Sequence, residues 1–178
     1  MDASKYLSKF AMMIRLTLNH SRVTFVTLQE TIEYLHAYLG MEQIRFRSSF
    51  CYKIETTGSH DDGDINIPTL MIQPLVENAI WHGLLPKKGD KKITVRFFQS
   101  GDFVTCIIED NGIGIYQSEK INQFNTQPHV GLENLRSRIK IMNEKYDMNC
   151  TLDITDLSEN NIHRTGTLAT LRFKILTL

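Results

Sequence analysis

The sequence predicts an α+β domain in which helices cover one face of a mixed, largely antiparallel sheet. Residues 91–99 and 103–110 are rich in β-branched and aromatic side chains, and the Ser-Gly-Asp turn between them indicates a hairpin. Two more alternating runs, 150–155 and 167–175, close the chain as strands. Helical patterns lie before and after the hairpin without strict βα alternation, which favours α+β over a doubly wound fold.

Length and charge narrow the class of protein. The 178 residues give room for one core, or for one core with a helical appendage. Lys+Arg and Asp+Glu both number 20, so no net charge attracts nucleic acid, and no nucleic-acid partner is expected. No apolar run approaches the roughly 18 residues that span a bilayer, and no signal peptide is evident, so this piece is predicted to be cytosolic. Three cysteines, Cys51, Cys106 and Cys150, fall in predicted strands without metal-ligand spacing and are expected to be buried, reduced thiols.

Two helices are predicted before the first strand. Residues 3–20 carry one apolar stripe that a lone helix cannot bury, so it needs a partner helix from another segment or another subunit; the stripe comprises Leu7, Phe10, Ala11, Ile14 and Leu18. Thr27 and Glu30 form a capping box that starts a second helix, which runs to about Arg45 or Phe46. Its inward positions are Leu28, Ile32, Leu35 and Leu39. The boundary between appendage and domain is placed between residues 24 and 25.

The middle of the chain alternates strands, loops and helices. Residues 50–57 read as a strand, and the acidic loop 58–64 lacks the spacing of a calcium loop, so it is interpreted as solvated. A helix is expected from about Thr69, with either a kink at Pro74 or irregular first turns. Residues 115–129 show no steady period and are predicted to form a long loop. The next helix spans 132–146, with Leu135, Ile139 and Met142 inward.

Two stretches concentrate side chains that can carry chemistry. Residues 73–83 read as a helix that holds Glu77, Asn78 and His82, and Asn78 and His82, four residues apart, share one helix face. Amide or carboxylate oxygens near a helix suit a hydrated Mg²⁺ that also binds substrate phosphates. Residues 109–114 read as a strand that enters a glycine-rich turn, with Asp110 at the junction. Together the two stretches predict a nucleotide pocket.

Three motifs in this order resemble known family boxes. Residues 74–80 (PLVENAI) with His82-Gly83 resemble the asparagine box of LytS-like sensor histidine kinases. Residues 110–114 (DNGIG) resemble the aspartate-glycine box of the gyrase/Hsp90/histidine-kinase/MutL ATPase superfamily. Residues 131–138 (GLENLRSR) resemble the second glycine box of the form GLxNxxxRL, with Ile139 where leucine is usual. Each box alone is weak, and the ordered set is a strong signal.

The resemblance implies a fold and a function. The fold is the two-layer α/β Bergerat sandwich over residues 48–178, with 115–129 as an ATP lid. Residues 3–20 correspond to the second helix of a dimerisation and phosphoacceptor region. The implied function is that of a histidine kinase catalytic domain, which transfers the ATP γ-phosphoryl to a histidine upstream of this chain and thence to a response regulator. The full protein is expected to be a homodimer, with this domain on the cytoplasmic side of an inner-membrane sensor.

The resemblance also assigns roles to individual residues. Asn78 is implied as a Mg²⁺ ligand that bridges the ATP phosphates, and Asp110 as the acceptor of the adenine amino group. Glu77 and His82 are candidate catalytic residues; Glu77 is equally readable as a structural acid, and His82 as a helix cap. The remaining cofactor-binding positions are Gly112, Gly114, Gly131, Leu132, Asn134 and Thr167. Of these, Gly131 opens a helix N-terminus suited to anions, and Thr167 belongs to a Gly-Thr element expected near the phosphates.

Two departures from the family pattern leave alternatives open. Trp81 stands where relatives often have a lysine, and His129 stands where the second glycine box usually has its first glycine. They motivate an alternative, an interaction domain that keeps the fold without useful ATP binding. A serine kinase of the anti-sigma-factor type shares the fold and is a further alternative. His20 and His36 lack a phosphoacceptor context and are interpreted as helix-surface histidines.

Overall fold

The computed structural model describes residues 3–47, 49–58, 65–122, 130–159 and 164–176. Its helices are α1 (Ala3–Ser21), α2 (Leu28–Arg45), α3 (Gln73–Asn78), a π-helix (Ala79–Leu84), α4 (Ile115–Asn122) and α5 (Val130–Tyr146). Its strands are β1 (Phe25–Thr27), β2 (Cys51–Thr57), β3 (Asn66–Pro68), β4 (Lys92–Ser100), β5 (Phe103–Asp110), β6 (Thr151–Asp156) and β7 (Thr167–Lys174).

The main sheet is mixed and largely antiparallel, as the sequence predicts. Its strand order is β2-β4-β5-β7-β6, with a parallel β2–β4 pair and antiparallel pairs elsewhere. The predicted hairpin is β4–β5, in which Val95 pairs with Ile108 and Phe97 with Cys106. Short strands β1 and β3 form a separate antiparallel pair, in which Phe25 lies opposite Pro68. This pair joins the end of α1 to the segment that leads into α3.

The core lies between the main sheet and the helices on one of its faces. Every second residue of the hairpin strands is buried, as their alternation predicts. The helix residues predicted to face inward also join this core. The shared layer includes Ile93, Val95, Phe97, Cys106, Ile108, Leu171 and Phe173 from the sheet, and Leu35, Leu39, Leu135 and Met142 from α2 and α5. The Thr27–Glu30 capping box is present, so α2 begins as predicted.

Helix α1 packs on α2 through a face that the sequence reading missed. Met13 and Leu16 contact the core, and the Thr17 hydroxyl lies 3.5 Å from the phenol oxygen of Tyr34. His20 is buried and stacks near the same tyrosine, so its interpretation as a surface histidine is wrong; His36 is exposed as expected. The rest of the described chain does not cover the predicted apolar stripe of α1. All of its residues are exposed: Leu7, Phe10, Ala11, Ile14 and Leu18.

The helix expected from Thr69 begins later, at Gln73. Leu70 has a positive φ of 57°, which a helix interior does not tolerate, so residues 69–72 form a turn. Pro74 then lies in the first turn of α3, where its missing N–H is not needed and its fixed φ suits a helix start. Of the two expectations, the kink at Pro74 is wrong, and the irregular start is present as the turn at residues 69–72. The chain instead changes from α-helix to π-helix directly after Asn78.

The predicted long loop 115–129 begins as helix α4. Its first backbone amide, that of Ile115, donates to the Asp156 carboxylate at 2.7 Å, and this capping partner lies 41 residues away in the sequence. A local pattern could not reveal such a cap. Residues 123–129 of the predicted lid, with His129, lie outside the described residues, as do residues 59–64 of the acidic loop.

The cysteines follow the prediction only in part. Cys106 and Cys150 are buried, whereas Cys51 is exposed at the start of edge strand β2. Cys150 directly precedes β6 rather than lying within it. The helices in the described part of the chain are too short or too polar for any of them to cross a bilayer.

Candidate functional site

One cleft of about 430 Å³ lies where the two predicted stretches meet. The asparagine-bearing helices form one wall, the ends of the central strands form the floor, and α4 and α5 border the opening. Its lining comprises Leu75, Asn78, Ala79, His82, Gly83, Ile108, Asp110, Gly114, Ile115, Ser118, Glu119, Leu132, Glu133, Arg136, Ile154, Thr167 and Ala169. The lining thus combines an apolar floor with a few polar groups, the usual composition of a small-molecule site.

The π-helix brings its backbone against the glycine-rich turn after β5. It is closed by a hydrogen bond from the Leu85 amide to the Ile80 carbonyl at 2.9 Å. Within it, the carbonyl of Gly83 accepts from the amide of Ile113 at 3.1 Å. Single π-helical turns often occur at functional sites. Here the turn fixes the asparagine-box wall to the turn that carries Asp110.

Asp110, the last residue of β5, presents a buried carboxylate at the floor of the cleft. Its Oδ1 accepts from the Gly112 amide at 2.7 Å. Burial raises the pKa of Asp110 to about 7, against the opposing effects of hydrogen bonds from Gly112 and Thr167 and of the nearby Lys87 cation. A carboxylate with this degree of burial needs a donor from a ligand or from the protein to remain charged.

Glycines surround Asp110 because no side chain would fit beside it. A Cβ on Gly83 would lie 2.7 Å from Asp110 Oδ1, and one on Gly112 would lie 2.4 Å from the Gly83 carbonyl carbon. Gly166 has a φ of +124°, and its Cβ would lie 2.0 Å from the Asp110 carbonyl oxygen. Gly83 and Gly112 therefore approach the Asp110 carboxylate and Gly166 approaches its backbone carbonyl, an arrangement that only glycine permits.

A second buried carboxylate, Asp156, supports the glycine turn from the other side. Its Oδ2 accepts from the amides of Ile115 at 2.7 Å and Tyr116 at 3.3 Å, and its Oδ1 accepts from the Ser158 amide at 2.9 Å. Burial alone raises the pKa of Asp156, but these hydrogen bonds outweigh it and hold the pKa below the usual value. The carboxylate thus stays charged while it caps α4, which borders the cleft.

Asn78 and His82 both line the cleft, as their spacing on one helix predicts. The Nδ2 atom of Asn78 is buried and has no hydrogen-bond partner among the described residues. Such an orphaned group is rare in folded proteins and is commonly explained by a missing ligand or ion. The Nδ2 group of Asn78 can therefore donate a hydrogen bond to a ligand in the cleft.

Glu77 is not brought to the cleft. Its Oε1 accepts from Gln73 Nε2 at 2.6 Å, and Gln73 Oε1 in turn accepts from the Tyr34 hydroxyl at 2.5 Å. Its charge also contributes to the raised pKa values of Tyr34 and Tyr38 on α2. The carboxylate therefore faces the α2 side of the helix, which fits the structural alternative for Glu77 and not the catalytic one.

The second glycine box contributes only part of its predicted set. Leu132 lines the cleft, together with Glu133 and Arg136, which sequence reasoning did not commit to. Helix α5 begins at Val130, so Gly131 lies inside its first turn and not before it. Gly131 faces Pro74, whose Cβ would lie 3.9 Å from an added Cβ. Asn134 is exposed and lies outside the cleft lining.

Thr167 lies at the floor of the cleft, whereas the Gly-Thr element was expected near the phosphates. Its backbone and hydroxyl both form hydrogen bonds with Asp110, so it belongs to the carboxylate group. Gly83 and Gly166 also lie against Asp110, and they are not among the site residues that the sequence predicts. In the sequence, only the residue type, glycine, marks these two positions. The apolar floor residues Ile108, Ile154 and Ala169 can be identified only from the folded sheet.

Trp81 does not lie in the cleft. The Arg45 guanidinium lies 4.6 Å from its ring centroid, and Phe46 packs edge-on at 5.3 Å. The indole therefore belongs to the contact between the π-helix and the end of α2. A tryptophan at this position removes no positive charge from the cleft itself.

Comparison with known proteins identifies two matching family models and several relatives. The family model described as "Histidine kinase-, DNA gyrase B-, and HSP90-like ATPase" matches residues 63–176, and the model "Histidine kinase" matches residues 1–50. Sensor protein LytS of Staphylococcus haemolyticus is 32% identical over 145 residues, which are 77% of this chain and 24% of LytS. Putative uncharacterized protein YwpD of Bacillus subtilis is 31% identical over 145 residues, 78% of this chain and 50% of YwpD.

Solved structures confirm the fold class. The histidine kinase domain of the Erythrobacter litoralis EL346 blue-light activated histidine kinase superposes with a TM-score of 0.59 at 15% identity, over 96% of this chain and 75% of that one. Histidine kinase ThkA in complex with response regulator protein TrrA gives 0.55 at 14% identity, over 97% and 49%. The chain spans from about a quarter to half the length of the two curated relatives. With the matched model covering most of its residues, the chain belongs to the family of histidine kinase-, DNA gyrase B- and HSP90-like ATPases.

Proposed function

We propose that the cleft binds ATP and that the chain is the catalytic domain of a two-component sensor histidine kinase. The observation that carries the proposal is the presence, in one cleft, of the buried Asp110 carboxylate and the buried Asn78 amide nitrogen, which has no partner among the described residues. In this proposal the carboxylate of Asp110 accepts the adenine amino group, and Gly112 and Gly114 let the backbone lie close to the base. The apolar floor of Ile108 and Ala169 supplies the flat contact that adenine requires.

The phosphates would extend from the base toward Asn78, His82 and the first turns of α5. Asn78 would hold Mg²⁺ through its side-chain oxygen, and its unpartnered Nδ2 would donate a hydrogen bond to a phosphate oxygen. Bound Mg²⁺ neutralises charge on the transferring phosphoryl group. Arg136, which lines the cleft, adds a cation on the α5 side, and His82 is within the same lining to contact a phosphate oxygen. Gly131 contributes a backbone N–H at the helix N-terminus.

The reaction proposed is transfer of the γ-phosphoryl group to a histidine upstream of this chain. The bond from phosphorus to the ADP oxygen breaks as a bond to an imidazole nitrogen forms, and the imidazole releases its proton to solvent. This chain positions ATP and neutralises its charge, which is the main contribution of proteins to phosphoryl transfer. The phosphoryl group would then pass to a response regulator, in line with the ThkA–TrrA complex.

A homodimer and a membrane-attached full protein complete the proposal. Leu7, Phe10, Ile14 and Leu18 form an exposed apolar stripe along α1, and such a stripe is stable in water only against another helix. We expect the Ile14→Glu variant of the full protein to shift toward monomer in sedimentation analysis. An unchanged dimer in that variant contradicts the assignment of this stripe to the interface. The domain described here would lie on the cytoplasmic side.

Calorimetric titration with ATP and Mg²⁺ tests nucleotide binding. Wild type is expected to bind, and Asn78→Ala and Asp110→Asn to weaken binding by at least about tenfold, the effect of one strong hydrogen bond to a charged group. Asn19→Ala and Asp102→Asn are matched controls, because both residues are exposed and neither lines the cleft. No binding by wild type, or equal losses in the controls, overturns the proposal. Acid-labile labelling of the full protein by γ-labelled ATP tests the transfer.

The alternative of a degenerate interaction domain receives no support from the described residues. Of its two motivating residues, Trp81 packs its indole on Arg45 and Phe46 outside the cleft, and His129 lies outside the described residues. The serine kinase alternative predicts an acid-stable phosphoester on a partner protein. The same labelling experiment therefore separates it from the histidine kinase.

A further inference from the structure

The Arg138 side chain has an unusual position for a residue of the second glycine box. It is half-buried, it points away from the cleft lining, and its Nη2 donates to the Thr69 hydroxyl at 2.9 Å. Its Nε is buried and has no hydrogen-bond partner among the described residues. Burial lowers the pKa of Arg138. Burial of a charged guanidinium with an unpartnered N–H costs free energy. Arg138 is therefore expected to have a role other than surface charge.

Thr69 is a fixed anchor for this arginine. Its backbone amide donates to the Thr24 carbonyl at 3.0 Å, and its hydroxyl lies 2.9 Å from the Val23 carbonyl and 3.2 Å from that of Thr24. The single hydroxyl proton donates to these carbonyls, and the oxygen accepts from Arg138. Thr69 is 1% exposed. The anchor therefore joins α5 to the junction between α1 and β1.

Arg138 also shares one face of α5 with Gly131. The two residues are seven apart, two helical turns, and so point the same way. Gly131 lies against Pro74 at the start of α3, and Arg138 reaches Thr69 just before it. Leu135, between them on that face, is buried. This face of α5 therefore contacts the start of the asparagine-box helix at two points, through Gly131 and through Arg138.

We propose that Arg138 is a positioning residue that, through Thr69, fixes the first turns of α5 opposite α3 and so sets the phosphate side of the ATP site. This inference rests on the proposed function, because it concerns the same cleft. Its reason is geometric: α3 supplies Asn78 to one wall, and α5 supplies Arg136 to the other. The spacing of the two walls decides whether both contact the same triphosphate. The adenine side is built on Asp110 and Thr167, which belong to strands β5 and β7.

Affinities for ATP and for adenosine test the proposal on the intact chain. Arg138→Met and Thr69→Val are expected to weaken ATP binding about tenfold, the effect of one charge-assisted hydrogen bond, and to leave adenosine binding within about twofold. The double variant is expected to lose no more than Thr69→Val alone, because that substitution already removes the contact with Arg138. Thr69→Ser keeps the hydroxyl and is expected to bind ATP as wild type does. Lys140→Met removes an exposed cation from the same helix and is the matched control.

The outcomes separate this inference from the proposed function. If wild type fails to bind ATP, the proposed function fails first, and hydrogen exchange decides the inference without nucleotide. Arg138→Met and Thr69→Val are then expected to speed amide exchange in residues 131–136 while β5 stays protected. Unchanged exchange there overturns the inference. The inference is also overturned if the two variants bind ATP as tightly as wild type. It is overturned as well if they lose ATP and adenosine affinity equally and are generally destabilised.

Discussion

The carboxylate of Asp156 lies directly against Gly114, so that a Cβ on the glycine would come within 2.5 Å of Asp156 Oδ2. Gly114 has a φ of +81°, and the same oxygen accepts from the amide of Ile115. One side chain from the end of β6 therefore fixes the glycine turn, the start of α4 and one border of the cleft. This relationship makes Asp156 a part of the site's support that no motif indicates.

Asp156→Asn is expected to lower the free energy of unfolding by about 1–2 kcal/mol, because the amide keeps one acceptor where the carboxylate serves four donors. Amide exchange in α4 should become faster in the same variant. Urea unfolding and hydrogen exchange provide the two measurements. Asp153→Asn, an exposed position on the same strand, is the control. Equal stability of the two variants contradicts a capping role for Asp156.

The two glycines Gly166 and Gly131 are expected to respond oppositely to alanine. A methyl group on Gly166 meets the backbone carbonyl of Asp110 and also requires a left-handed backbone, so Gly166→Ala should lose about 3 kcal/mol or more of stability. A methyl group on Gly131 makes only an ordinary contact with Pro74, and Gly131→Ala should be neutral or gain up to about 1 kcal/mol. Thermal unfolding of the two variants decides. A loss at Gly131 as large as that at Gly166 is incompatible with the described packing.

The sequence allows the fold class and much of the site to be predicted because these features repeat locally. Alternation in β4, β5 and β7 determines which residues face the core, and the Thr27–Glu30 cap marks the start of α2. The spacing of Asn78 and His82 places both in the cleft, and Asp110 and Gly114 follow from a strand that ends in a glycine turn.

The remaining features depend on contacts between distant segments. The start of α4 needs Asp156, which is 41 residues from Ile115, so a local reading predicted a loop. The orientation of Glu77 depends on Gln73 and on Tyr34 of α2, and periodicity cannot choose between the two sides of a helix that are both half-buried. The left-handed Leu70, which delays α3, has no marker in the sequence, because leucine rarely adopts that conformation.

The buried Asp110 is expected to make stability depend on pH between about 4 and 7. Its pKa is raised to about 7 in the folded chain, above the ordinary 3.8, so in that window the folded state binds more protons than the unfolded state. Stability therefore falls as pH rises through this window. Asp110→Asn removes the effect and should be more stable than wild type by roughly 2–4 kcal/mol at pH 8, with little difference near pH 4. Urea unfolding of both proteins across this pH range checks the prediction. A stability difference that grows toward low pH would contradict it.

Glu77→Gln is expected to change autophosphorylation of the full protein by less than about threefold, or ~0.6 kcal/mol. The glutamine oxygen can still accept from Gln73, and loss of the charge relieves the Tyr34 and Tyr38 side of the helix. Asn78→Ala, one residue away, should weaken nucleotide binding by at least about tenfold, so the two variants separate neighbours that face different sides of the helix. A general base or a metal-side acid at Glu77 predicts instead a loss of about 10²–10⁴ in rate. Initial rates at saturating ATP distinguish the two, and unfolding curves of both variants show whether a loss of rate reflects a loss of fold.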